Sequence, residues 1–248
     1  MESERWAEIG YNVAMHEWEI IVIGGGHAGC EAALAAAHRG ARTLLLALRL
    51  ERLAHMPCNC SLGGPAKAHL IREVAALGGA MPRVADAAAT HVRLLNTSKG
   101  PAVQAIRAQV DKVRYPALMR AMLEAQPGLT LLEGEAAALE VSEGQVIGVR
   151  LADGQLLSAR AVVITTGTFL NGMTFVGKET QPAGRFGEPP ATLLSASLAA
   201  HGLRLGRLKT GTTPRLHVDS IDYARCEAQP SADSPLPFQF DWQQPCAP

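Results

Sequence analysis

The chain has 248 residues, 23 basic against 23 acidic side chains, and 48% hydrophobic residues. This length buries a full core in one large or two small domains, and the balanced charge excludes a bulk electrostatic pull toward nucleic acid or membrane, so any RNA contact must be local. The longest apolar runs are strand-sized, which leaves no segment able to span a membrane.

Five cysteines, Cys30, Cys58, Cys60, Cys226 and Cys246, are scattered and form no C-x-x-C pair. That usage suits a reducing cytoplasm and points to neither a disulfide framework nor a metal site. Residues 1–16 read as a polar, disordered leader that lacks the features of a signal or transit peptide, and Met15 stands where a true start codon is expected.

Glu19 to Leu48, EIIVIGGGHAGCEAALAAAHRGARTLLLAL, reads as strand, glycine turn, helix and parallel strand. Gly24, Gly26 and Gly29 form G-x-G-x-x-G where its physics requires it, after a strand and opening a helix. Gly24 turns tightly, Gly26 lets the backbone approach a pyrophosphate, and Gly29 lets the helix lie close on the strand. The helix, stopped by Gly40, then points its free N–H groups and positive dipole end at the phosphates of a dinucleotide, worth ~0.3–2 kcal/mol for a nearby anion. The acidic residue that usually grips the ribose belongs near Ala47 to Arg49, and only Glu51, slightly late, is on offer.

Arg49 to Gly64 reads as a loop around MPCNCSLGG, placed where ligands lie in such folds. Ala66 to Leu77 and Pro82 to Leu95 both read as helices. After the loop NTSKGPAV, Gln104 to Val110 alternates as a strand, with Gln104, Ile106 and Ala108 on one face. Asp111 is placed to cap the next helix, with Pro116 in its first turn. Leu129 to Thr165 reads as a β-meander with turns at Ser142-Glu143-Gly144 and Asp153-Gly154, ending in AVVIT, an apolar run expected as a buried central strand. Gly167, just beyond it, is expected to complete the dinucleotide pocket. A short helix over Ala191 to His201 follows, and from Gln229 the chain is proline-rich, without a core pattern.

IIVIGGGHAGCEAALAAA, MPCNCSLGGPAKAHLIREVAALGG, LLNTSKGPAVQAIRAQVDKVRY, TTGTFLNG, GRFGEPP and GRLKTGTTPR occur in this order. Together they resemble the amino-terminal part of the MnmG (GidA) family of tRNA-modifying flavoproteins, over about Glu17 to Arg225. The resemblance implies an α/β fold: an FAD/NAD(P)-binding Rossmann-like domain of the glutathione-reductase type, with a β-meander and the start of an inserted second domain. The expected division is an incomplete FAD-binding domain over 17–205, and the inserted domain with a proline-rich tail over 206–248.

By the same resemblance the cofactor is FAD, held by Gly24, Gly26 and Gly29; Gly25, His27 and Ala28 of the same turn, with Glu51 and Gly167 as read above, complete the expected binding set. NADH and methylenetetrahydrofolate are co-substrates, tRNA is the substrate, the GTPase MnmE is the partner, and the full-length protein is a homodimer. The implied reaction adds an aminomethyl or carboxymethylaminomethyl group to carbon 5 of the wobble uridine. Cys58 matches the family's functional loop cysteine and is the catalytic candidate. Lys67 and His69 follow it and bring positive character able to lower a thiol pKa.

The family usually shows an SCNPAIGG-like loop where this chain has residues 57–64, and GTPPR where it has Thr213. Family members also continue well beyond this length, so an amino-terminal fragment, inactive alone, is expected. Two other readings stand beside this one: a folate- and FAD-dependent tRNA 5-methyluridine methyltransferase, and a truncated, non-catalytic flavin-binding module. The MPCN and SKGPAV loops favour the first reading over the methyltransferase. Lys99, Arg107, Arg185, Arg207, Lys209 and Arg215 form a set of loop cations suited to phosphates of tRNA or of FAD.

Overall fold

The computed structural model describes residues 17–57 and 59–240. The expected leader, the start at Met15, and Cys58 lie outside the described residues. The chain divides into two compact units, one formed by the residues up to 53 with 123–206, the other by 54–122 with 207 onward.

The first unit is built on the apolar runs at its start. β1 (Trp18–Ile23) and β2 (Thr43–Ala47) lie parallel, joined by α1 (His27–His38). β6 (Leu129–Glu133) adds in parallel beside β2, and β9 (Leu156–Ile164) in parallel beside β1. β7 (Ala136–Ser142) and β8 (Gln145–Leu151) complete a six-stranded sheet of order β6-β2-β1-β9-β8-β7. Strand alternation sends Val22 and Leu45 to one side and Ile21, Ile23, Leu44 and Leu46 to the other, all at most 5% exposed. α1 presents the small residues Cys30, Ala33 and Ala37 together with Leu34, all buried, at the spacing of one helical face. Ile21, Ile23, Leu44 and Leu46 share a core with Val149, Leu151 and Leu157 and with Leu194 and Leu198 of α5 (Leu193–Ala200). Each such side chain contributes about 1.5–3 kcal/mol of burial.

The second unit holds an antiparallel sheet of order β3-β5-β4, from β3 (Ser61–Gly63), β4 (Ala89–Leu95) and β5 (Ala105–Val110). Its helices are α2 (Lys67–Ala76) and α3 (Ala80–Ala88), and α4 (Arg114–Ala125) carries the chain back to the first unit. β5 alternates as read, with Ile106 and Ala108 buried and Arg107 and Gln109 exposed. Asp111 caps α4, its Oδ1 accepting from Val113 N at 2.7 Å and Arg114 N at 2.9 Å.

Four expectations are corrected. The helix read over Pro82 to Leu95 ends at Ala88, and ATHVRLL is β4, because pairing with β5 overrides the helical spacing. β6 belongs to the parallel sheet and not to the meander. AVVIT is less buried than read, with Val163 37% and Ile164 36% exposed. β8 pairs with β9 only over Leu156–Ser158, so among the described residues the later half of β9 pairs with β1 alone. The proline-rich tail is not free of core contacts. Residues 229–232 run along β4, with Ala232 N donating to Val92 O at 2.8 Å and Val92 N to Ser231 Oγ at 3.1 Å.

Residues 237–240 of that tail are clamped. Asp86, 6% exposed on α3, accepts from Phe238 N at 2.9 Å and Gln239 N at 3.0 Å. Burial raises its pKa and these bonds oppose the rise. Phe238 is fully buried against Gly63. Arg72 donates to Pro237 O at 3.1 Å and lies 4.4 Å over the Phe240 ring. Replacing Phe238 with Ala is expected to lower stability by about 3–5 kcal/mol in denaturant titrations followed by circular dichroism. The same change at Phe240, 51% exposed, costs less than half as much; equal effects would contradict the clamp.

Candidate functional site

The glycine turn sits at the carboxyl end of β1, and its geometry explains each glycine. Gly24 has φ +111, and a Cβ there would stand 2.4 Å from Thr165 O. On Gly29 it would stand 1.8 Å from Gly24 O, so only glycine lets α1 start this close to the strand. Gly25 meets Leu53 and Ala47, whereas a Cβ on Gly26 would meet nothing within 4 Å. Gly26 and Ala28 are exposed.

The start of α1 supplies no cap or carboxylate of its own against its dipole. Gly26 is the N-cap and offers no side-chain cap, and the first turn contains no acidic residue. The partial positive charge of the helix end therefore faces outward over an open glycine. Thr165 ties the end of β9 to this turn, its hydroxyl donating to Ile23 O at 2.8 Å or Gly24 O at 3.1 Å. Gly167 follows with φ +57 and open space where a Cβ would be. This cradle fits the pyrophosphate of the dinucleotide that the sequence implies.

Two titratable residues belong to the expected site. His27 is the first residue of α1, and burial, then the charge of Arg185, holds its pKa below the ordinary 6.5. Arg185 pairs with Glu188, Nη2 to Oε2 at 3.0 Å, while its buried Nε has no hydrogen-bond partner among the described residues. Glu51 lies past the end of β2 in a single helical turn (Leu50–Arg52). A backbone hydrogen bond and the neighbouring Arg49, 2.6 Å away, hold its carboxyl below the usual range. Glu133 fixes that turn from β6, accepting from Leu50 N at 2.9 Å.

The loop bearing Cys58 is described only at its flanks. Pro57 O accepts from Arg215 Nη2 at 3.4 Å, and Cys60 O accepts from Val110 N at 2.8 Å. Lys67 and His69 are exposed at the start of α2. Of the loop cations, Arg215 is thus placed beside the Cys58 loop within the second unit and Arg185 beside the glycine turn within the first. Sequence reasoning missed Thr165 as the tie of the turn, although the TTG at the end of β9 was its signal. It also missed the Arg185–Glu188 pair, which local spacing does not reveal. Among the described residues there is no cluster suited to a metal and no helix long and apolar enough to cross a membrane.

Comparison with known proteins places this geometry in a family. The tRNA uridine 5-carboxymethylaminomethyl modification enzyme MnmG of Chloroflexus aurantiacus is 52% identical over 89% of this chain and 34% of its own length. The enzyme of the same name from Thermus thermophilus is 50% identical over 90% of this chain and 37% of its own length. The crystal structure of Aquifex aeolicus GidA superposes with a TM-score of 0.87 at 43% identity, covering 92% of this chain and 38% of that one. The chain thus spans about a third of the length of the relatives it matches. The model of the family described as glucose inhibited division protein A matches residues 19–245. With the glycine cradle, the parallel sheet and this match in agreement, the chain belongs to the glucose inhibited division protein A family.

Proposed function

We propose that this chain is the FAD-binding part of a cytoplasmic, homodimeric enzyme that modifies carbon 5 of the wobble uridine in tRNA. The group added is aminomethyl or carboxymethylaminomethyl, made with the GTPase MnmE and NADH, with methylenetetrahydrofolate giving the one-carbon unit and ammonium or glycine giving the nitrogen. The observation that carries this reading is the uncompensated helix end over an open glycine turn. It lies in a chain about half identical to enzymes named for this uridine modification.

In this reading the α1 N-terminus holds the pyrophosphate, Gly167 lets backbone pass close to the cofactor, and Glu51 reaches the ribose. FAD, when bound, supplies redox chemistry between NADH and the folate-derived one-carbon unit. Carbon 5 of uridine is a poor nucleophile until the ring is activated. Cys58 supplies a thiolate that adds to carbon 6, leaving carbon 5 electron-rich. After carbon 5 has bonded to the one-carbon unit, loss of its proton expels the thiolate and restores the ring double bond.

A chimera in which this chain replaces the matching third of the Chloroflexus aurantiacus relative tests the assignment. Supplied with MnmE, tRNA and co-substrates, it is expected to yield modified wobble uridine by nucleoside mass spectrometry. Its Cys58→Ser variant is expected to keep FAD and yield none; full activity of that variant refutes the role of Cys58.

His27 gives a pH test. Its pKa in the folded chain lies below 6.5, so the unfolded state binds a proton that the folded state refuses. Its contribution to stability is full above 6.5 and is lost as pH falls toward the folded pKa. The melting temperature of the free chain is expected to fall more steeply on acidification than that of His27→Gln. Bound FAD raises the His27 pKa through its phosphate charge and flattens the difference; parallel curves with and without FAD would contradict a pyrophosphate beside His27.

A further inference from the structure

Arg185 stands in a turn built to hold it. Glu188 N donates to Arg185 O at 3.0 Å and Gly184 N to Glu188 O at 3.1 Å, closing the turn. Glu188 Oε2 then takes one edge of the guanidinium at Nη2, 3.0 Å away. The guanidinium carbon lies 4.9 Å over the Phe169 ring. Gly184 permits this stacking, since a Cβ on it would stand 2.1 Å from that ring. Phe169 N is bonded to Thr166 O at 3.1 Å, one residue beyond Thr165, whose hydroxyl reaches Gly24 O at 3.1 Å. A continuous line of contacts thus fixes one cation beside the glycine turn.

The cation is not fully used by the protein. The Arg185 side chain is only 17% exposed, and its Nε is buried without an acceptor among the described residues. An unpaired buried donor on a charged group is costly and calls for a partner. The nearby helix end is itself positive, and the charge of Arg185 already disfavours a proton on His27. Two positive groups converging on an open glycine turn make sense around an anion. A planar guanidinium with one edge pinned by a carboxylate is preorganised to give its other donors to phosphate oxygen.

Resting on the FAD reading above, we infer that Arg185 is a ligand of the dinucleotide's pyrophosphate, oriented for it by Glu188 and Phe169. The role separates it from the other loop cations and assigns the GRFGEPP turn to cofactor binding.

Titrations of the 248-residue chain with FAD and with adenosine diphosphate ribose, which has the adenosine and pyrophosphate but no flavin, test this. Arg185→Gln is expected to weaken both ligands by the same factor, about ten- to a hundredfold, as befits loss of one charge-assisted contact. Arg185→Lys recovers part of the loss, and Arg160→Gln, at a side chain 69% exposed, changes neither. Circular dichroism confirms that each variant is folded; if Arg185→Gln is not, the Lys variant and the salt dependence of wild-type binding decide. Weakened FAD with unchanged adenosine diphosphate ribose would place Arg185 at the flavin and overturn the inference. Unchanged binding of both would make it a purely structural residue and also overturn it. Failure of the wild type to bind either ligand would instead refute the FAD reading on which the inference rests.

Discussion

The first unit depends on one close approach: α1 begins so near the end of β1 that no side-chain carbon fits at Gly24 or Gly29. That approach aligns the helix axis with the parallel strands and aims the helix's unsatisfied N–H groups out over Gly26. It also requires small residues down the buried side of α1, which Cys30, Ala33 and Ala37 provide. Without the approach, the sheet face of Val22 and Leu45, opposite the cluster of Ile21, Ile23, Leu44 and Leu46, would lose its cover, and the helix end would point elsewhere. Packing and ligand geometry are here the same constraint.

The second unit follows a different logic. Its sheet is small, and its stability draws on a segment distant in sequence. Phe238 fills the space that Gly63 leaves open, and Asp86 gathers two tail N–H groups that burial would otherwise leave unpaired. The same unit carries the loop of Cys58, whose flanks are fixed by Arg215 and by Val110. The clamp thus steadies the unit that bears the proposed thiolate.

What was legible in the sequence was local. The strand, glycine turn and helix, the cap at Asp111 and the turn at Glu143-Gly144, with φ 50 and 77, are set by a few neighbouring residues. What was not legible depends on partners far along the chain. ATHVRLL is a strand because β5 pairs with it, β6 lies beside β2 and not in the meander, and Phe238 is core because Asp86 and Gly63 receive it. Arg185 read as one loop cation among six; its distinction lies in Glu188, Phe169 and a buried Nε with no acceptor among the described residues. The cysteine loop was legible through its resemblance to a family, and no spacing rule reveals its role.

In the proposed function this chain holds a flavin dinucleotide at the α1 N-terminus. The most direct measurement is the visible absorption spectrum of the purified 248-residue chain, with any released cofactor identified by chromatography. The bands of oxidised flavin, released as FAD, are expected, or their appearance when FAD is added. A folded, colourless protein that takes up no added FAD would contradict that function.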